Sequence, residues 1–276
     1  MRTNGTRVIV TGASSGIGRA LTIALAERGA VLTLAARRAD RLEEVVREVG
    51  ERFPSSPSPV AVRCDVSNAA DVTALVGGAV ERLGTVDVLI NNAGISVFGE
   101  EARTSIDDYR NLMAVNFFGA VHSMREVLPF MRRQGSGLIV NVASVAALHG
   151  VPYLAAYCAS KAALVVLSQS LRAELHGSGV RVMLVYPGYT ETEIFEREKR
   201  VGGARRPPGE YASAAGVAEA IVRAMEADVR DLYLTVRGRA LNVLRGLAPP
   251  IVERAMRNIA RDLADPDAPR SEDEAR

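Results

Sequence analysis

Short apolar, β-branched runs alternate along the chain with longer stretches in which apolar residues recur every three to four positions. The runs at residues 8–10, 31–35, 60–64, 86–91, 138–142, 180–185 and 232–235 predict strands. The stretches 17–28, 41–52, 70–83, 106–132, 155–176 and 216–227 predict helices between them. The strand runs are continuously apolar, which is the pattern of strands covered by helices on both faces. The expected fold class is therefore α/β, a doubly wound parallel sheet of seven strands. Beyond it, Leu241, Leu244, Leu247, Ile251, Val252, Ala255, Met256, Ile259 and Leu263 recur at helical spacing and predict one or two C-terminal amphipathic helices.

No break in this rhythm marks a domain boundary. Residues 1–264 are expected to form a single domain, with 237–264 as a helical extension and 265–276 as a disordered polar tail. The Pro/Ser stretch 53–59 reads as a loop, and the polar stretch 189–211 is long enough to predict a functional lid or disorder.

Composition narrows the class without naming a function. With 276 residues, 48% apolar and 24% charged, the chain is neither a disordered polymer nor a collagen-like or disulfide-stapled one. A net charge of +2 makes no electrostatic case for nucleic acid. No signal-like leader or membrane-spanning apolar run is read. Cys64 and Cys158 are isolated and predict buried thiols, with no metal site. A cytoplasmic enzyme or binding protein is expected. Only two of the 34 basic residues are lysines, Lys161 and Lys199; Lys199 reads as surface charge.

Candidate chemistry begins where the first strand meets the first helix. Residues 11–18 read Thr-Gly-Ala-Ser-Ser-Gly-Ile-Gly, and glycines in such a strand-turn-helix setting let a pyrophosphate approach the free N–H groups of the helix. Gly12-Ala13-Ser14-Ser15-Gly16 also fits a hydrolase nucleophile elbow, with Ser14 as nucleophile, and that alternative stays open here. The second strand runs into Arg37 and Arg38 with no carboxylate. Guanidinium groups there would attract a 2′-phosphate, so NADP(H) is expected over NAD(H).

Tyr157 and Lys161 stand four residues apart on one helical face. A free phenol has a pKa near 10, and an adjacent ammonium favours its ionised form, so this Tyr is a candidate general acid or base. At this point the residues resemble the short-chain dehydrogenases/reductases, a family with a Rossmann-like fold. The resemblance covers residues 7 to about 236 and rests on ordered motifs: the turn 11–18, Asp65-Val66, Asn91-Asn92-Ala93-Gly94, Asn116, Ser144 thirteen residues before Tyr157, and Pro187-Gly188 followed by Thr192. It implies hydride transfer between nicotinamide and a carbonyl or secondary alcohol. Ser144 would position the substrate oxygen and Tyr157 exchange a proton with it. Lys161 would lower the Tyr157 pKa and hold the nicotinamide ribose, and Asn116 would hold a relay water. Cofactor contacts are expected from Gly12, Ser14, Ser15, Gly16, Ile17, Gly18, Arg37, Arg38, Asp65, Val66, Asn92, Ala93, Gly94, Tyr157, Lys161, Pro187, Gly188, Thr190 and Thr192.

Candidate substrate walls include Ser96, Val97, Phe98, Val145, His149, Tyr153 and Ile194, with Tyr189 and Phe195 joining Ser144 and Tyr157 as substrate contacts; their mostly apolar character suits an apolar carbonyl or alcohol. Residues 237–261 carry six Arg and one Glu on an amphipathic pattern, which reads first as a solvated face, then as a lid or subunit contact, and last as a membrane surface. The resemblance implies a homodimer or homotetramer. A catalytically silent NADP-binding sensor or scaffold is the other class to weigh.

Overall fold

The computed structural model describes residues 3–194, 196–205 and 211–264. Seven parallel strands, β1 (Arg7–Thr11), β2 (Val31–Ala36), β3 (Val60–Arg63), β4 (Val88–Asn91), β5 (Gly137–Val142), β6 (Val180–Tyr186) and β7 (Asp231–Tyr233), form one sheet in the order β7-β6-β5-β4-β1-β2-β3. Successive residues of a strand face opposite sides. In β1, Val8 and Val10 enter one core and Ile9 the other. The first core is closed by α1 (Gly16–Glu27), α2 (Ala39–Arg52) and, beyond the sheet's midpoint, α7 (Ala214–Glu226). The second is closed by α3 (Ala69–Leu83), α5 (Gly119–Gln134) and α6 (Ala155–Glu174), reached from β4 through α4 (Ile106–Met113). Two apolar faces per strand are why the strand runs do not alternate. The expected Rossmann-like sheet is present, with helices on both sides.

Strand order reverses between β1 and β4. Connections leaving these neighbours diverge, and a crevice opens at the carboxyl ends of the strands.

Several expectations change in detail. The helix read over 106–132 is three pieces: α4, a π-helical turn at Ala114–Phe118, and α5. Apolar periodicity misses this, because the extra residue shows only as an unbroken run of four-residue steps between the buried positions 108, 112, 116, 120 and 124. Strand four begins at Val88 and strand seven at Asp231, while Thr235 caps the next helix by accepting from the Gly238 N–H at 2.9 Å. The stretch 189–211 carries short strands: Thr190–Glu191 pairs with Ala212–Ser213, and Lys199–Val201 with Val97–Gly99. Lys199, read as surface charge, is exposed yet donates to both oxygens of the buried Asp108 carboxylate at 2.8 Å.

The C-terminal pattern resolves into α8 (Val236–Leu247) and α9 (Pro249–Leu263). Phe195 and the tail 265–276 lie outside the described residues.

Candidate active site

Thr11 ends β1 and ties the glycine turn to the end of β4. Its hydroxyl donates to the Ile90 carbonyl and accepts from the N–H groups of Asn92 and Ala93 at 3.0 and 3.2 Å. The Asn92 side chain donates back to the carbonyls of Thr11 and Gly12 at 3.0 and 3.3 Å. Gly12 has φ +66, and a β-carbon there would lie 2.8 Å from the Ala93 backbone; one on Gly18 would lie 2.2 Å from the Gly12 carbonyl. Both positions therefore require glycine. The turn leads into Gly16 and Ile17 at the start of α1, whose N-cap Ser15 makes no side-chain cap. That helix end offers free N–H groups and the positive end of the helix dipole to an anion.

Arg38 lies over this turn, donating to the hydroxyls of Ser14 and Ser15 at 3.1 and 2.9 Å. Arg37 is exposed. Asp65 accepts from the N–H and hydroxyl of Ser67 at 3.0 and 2.6 Å. Burial opposes its ionisation, but the Ser67 bonds, Arg37 and Arg63 outweigh that and hold its pKa below the usual carboxylate value. Val66 packs against Gly119, where a β-carbon would lie 2.7 Å from it. A glycine cradle and an open helix N-terminus beside a guanidinium fit the pyrophosphate of a dinucleotide. The Ser14 hydroxyl is bonded to a cation, not to a base, which gives the nucleophile-elbow alternative no support.

Ser144 follows β5 and caps a short 3-10 turn, Val145–Ala147, accepting from the Ala146 N–H at 3.1 Å. The Val145 N–H donates to the Pro187 carbonyl at 2.9 Å, which joins the ends of β5 and β6. Tyr157 and Lys161 lie one turn apart on α6, and Ser144 is the group that most favours ionisation of the Tyr157 phenol. The Lys161 ammonium, 4% exposed, donates to the Val142 carbonyl at 2.9 Å.

The π turn carries Asn116, which donates to the Ile95 carbonyl and the Ser160 hydroxyl at 3.0 and 2.9 Å and accepts from the Ile95 N–H at 2.9 Å. Ser160 donates in turn to the Tyr157 carbonyl at 2.8 Å. Gly94 lies between the two polar ends: a β-carbon on it would be 3.3 Å from Asn116 Oδ1 and 3.4 Å from Lys161 Nζ. Ser144, Tyr157, Lys161 and Asn116 thus come together beside the turn.

Burial is the largest influence on the ionisation of both Tyr157 and Lys161. Burial pushes the Tyr157 phenol up to about 12, against the lowering by Ser144. Burial likewise pulls Lys161 down to about 8.

The substrate side is more apolar than the motifs alone reveal. Phe98, Ala146, Leu154, Cys158 and Leu263 form a buried cluster against which Tyr153, Tyr157 and Ile259 pack. Leu263 and Ile259 come from α9, whose apolar spacing was legible but whose packing partner was not. The Tyr153 hydroxyl donates to the Ala260 carbonyl at 3.2 Å. The buried Glu198 accepts from the Ser96 hydroxyl at 2.6 Å and adds to the rise of the Tyr157 pKa. Tyr189 is exposed and meets Tyr211 edge-on at 5.6 Å. Thr190 is buried, donating to the Gly188 carbonyl at 3.1 Å, and Thr192 rests against Gly16. A groove of about 890 Å³ runs beside α1, lined by Gly16, Arg19, Thr192 and Glu193 among others, and does not include Tyr157. Among the described residues no group of His, Cys, Asp and Glu could hold a metal ion.

A family model described as short chain dehydrogenase matches residues 6–201. A curated relative from Anopheles gambiae, dehydrogenase/reductase SDR family protein 7-like, is 35% identical over 94% of this chain and 84% of its own. A short chain dehydrogenase/reductase from Burkholderia phymatum, solved in complex with NAD, superposes with a TM-score of 0.81 at 29% identity, covering 91% of this chain and 96% of that one. A short chain dehydrogenase from Burkholderia cenocepacia, solved with NADP, gives 0.78 at 28% identity, covering 93% and 99%.

Proposed function

The chain belongs to the short-chain dehydrogenase/reductase family of nicotinamide-dependent oxidoreductases acting on CH–OH and C=O groups, and from that premise we propose an NADP(H)-dependent enzyme for an apolar ketone, aldehyde or secondary alcohol. One observation carries the reading: Ser144, Tyr157, Lys161 and Asn116 converge at the carboxyl end of the sheet, next to a phosphate-fitting turn crowned by Arg38.

The nicotinamide ring, when bound, supplies or accepts the hydride. The chain's own residues handle the oxygen and its proton. Ser144 hydrogen-bonds the substrate oxygen and fixes its distance from Tyr157. The Tyr157 phenol, pushed up to about 12 by burial, carries its proton at neutral pH and can give it to the substrate oxygen as a general acid. Lys161 holds the ribose, and its ammonium is positioned by the Val142 carbonyl. Asn116, braced by Ile95 and Ser160, holds the polar end of the relay beside Lys161. Gly12, Gly18, Asn92 and the open end of α1 hold the pyrophosphate. Arg38, with Ser14 and Ser15, holds the 2′-phosphate, and Asp65 and Val66 flank the adenine.

The apolar cluster around Tyr157 supports an apolar substrate. Residues 1–264 act as one catalytic unit in this reading, because α8 packs Gly238 against Val145 and α9 adds Leu263 to the apolar cluster against which Tyr157 packs. Exposed Ile106, Phe118 and Val166 on α4, the π turn and α6 support a homo-oligomer. Buried free thiols at Cys64 and Cys158 fit a cytoplasmic location.

The test is NADPH oxidation against ketones, aldehydes, steroids and quinones, with NADH in parallel. Tyr157→Phe is expected to lower turnover about 10²- to 10⁴-fold while NADPH still binds. Near wild-type turnover in that variant overturns the mechanism.

A further inference from the structure

Glu193 is the residue that the cofactor reading leaves without a task. Its carboxylate holds Arg38 at 2.8 Å and Arg197 at 3.2 Å. The second terminal nitrogen of the same Arg38 reaches the hydroxyls of Ser14 and Ser15. One guanidinium therefore bridges the glycine turn and the segment after β6. The neighbouring Thr192 rests on the turn itself: a β-carbon on Gly16 would lie 2.9 Å from Thr192 Cγ2. The side chains of Arg38 and Glu193 are only 25% and 31% exposed, so the pair is partly shielded from water.

Burial alone would disfavour the Glu193 charge, but Arg38, Arg197 and Arg41 hold its pKa below the usual carboxylate value. The carboxylate is thus ionised at neutral pH. A carboxylate and a phosphate ester make the same demand on a guanidinium, two oxygens in the plane of its N–H fork, and they repel each other if both crowd one Arg.

Resting on the NADP(H) reading, we propose that Glu193 is an internal competitor for Arg38, a specificity-determining residue that weakens binding of a 2′-phosphorylated dinucleotide and leaves the unphosphorylated one untouched. When the phosphate takes Arg38, Glu193 retains Arg197 as a partner, so the exchange leaves neither anion without a cation. Glu193 in this role tempers the preference that Arg38 creates.

Isothermal titration of the full chain with NADPH and with NADH reads the effect directly. Glu193→Gln keeps the shape and removes the charge. It is expected to tighten NADPH about threefold to fivefold, the size of a partly exposed ion pair, and to change NADH less than about twofold. Glu193→Ala should do the same, and neither should alter NADPH affinity in an Arg38→Ala background. The gain should shrink as salt is raised. An NADPH-to-NADH affinity ratio that stays constant or falls in both Glu193 variants overturns the proposal. The two readings fail differently: if Arg38→Ala leaves the ratio unchanged, the cofactor reading falls and this one with it. If Arg38→Ala collapses the ratio and the Glu193 variants do not raise it, only the competitor falls.

Discussion

Lys161 shows how one side chain can be costly to the fold and still be retained. It is 4% exposed, it donates to the Val142 carbonyl, and burial draws its pKa from 10.5 to about 8. Below pH 8 both the folded and the unfolded chain carry the charge, and the fold bears the whole burial cost. Between pH 8 and 10.5 the unfolded chain binds more protons than the folded one, so stability rises with pH across that window. The difference amounts to about 3 kcal/mol. Measured by urea unfolding, wild type should gain about that much over Lys161→Met between pH 7 and 10.5; a stability difference that stays flat with pH would contradict the burial argument. At the same scale, Tyr157, Lys161, Ser144 and the glycines were legible as types at set spacings. The direction of the Tyr157 shift was not, because desolvation depends on what surrounds the phenol.

Among the elements, α4 and the π turn matter most to the site. Ser105 and Asp108 form a reciprocal capping box at the start of α4, and Asp108 also takes Lys199 from the strand paired beside Val97–Gly99. Bonds from Lys199 and Ser105 keep the Asp108 pKa low despite burial. One carboxylate thus caps the helix that leads into Asn116 and fastens a segment about ninety residues further along the chain. Asp108→Ala removes both and is expected to cost about 1–2 kcal/mol in urea unfolding, whereas Lys199→Met removes an exposed partner and should cost under about 1 kcal/mol. Equal losses would show that the cap contributes little. The capping box follows from local spacing, but the partner of Lys199 does not. The wider turn at Asn116 is not legible from apolar residues alone, since two of the buried positions that mark it, Asp108 and Asn116, are polar.

Across the whole molecule, the sheet is tied at its amino edge by Arg7 and Asp87, which pair through two nitrogens and two oxygens at 2.7 and 2.8 Å. Burial opposes the Asp87 charge, but the Arg7 bonds prevail and lower its pKa below 3.8. A carboxylate lowered on folding stabilises the fold above its unfolded pKa, and that contribution is lost as pH falls through the folded value. The stability deficit of Asp87→Asn should therefore be full above about pH 4 and shrink on acidification below it, followed by circular dichroism; a deficit independent of pH would assign it to packing alone.

The sequence by itself determined the alternation of strands and helices, the glycine turn and the one-turn spacing of Tyr157 and Lys161. Each of these is written over a few neighbouring residues, where backbone geometry converts spacing into position. Only the tertiary structure decided that Glu193 grips Arg38 from 155 residues away, that Lys199 serves Asp108, and that α9 adds Leu263 to the cluster against which Tyr157 packs. Apolar and charged patterns state that a face must be covered or a charge compensated. The partner is chosen by the path of the folded chain, which brings those groups to one end of the sheet.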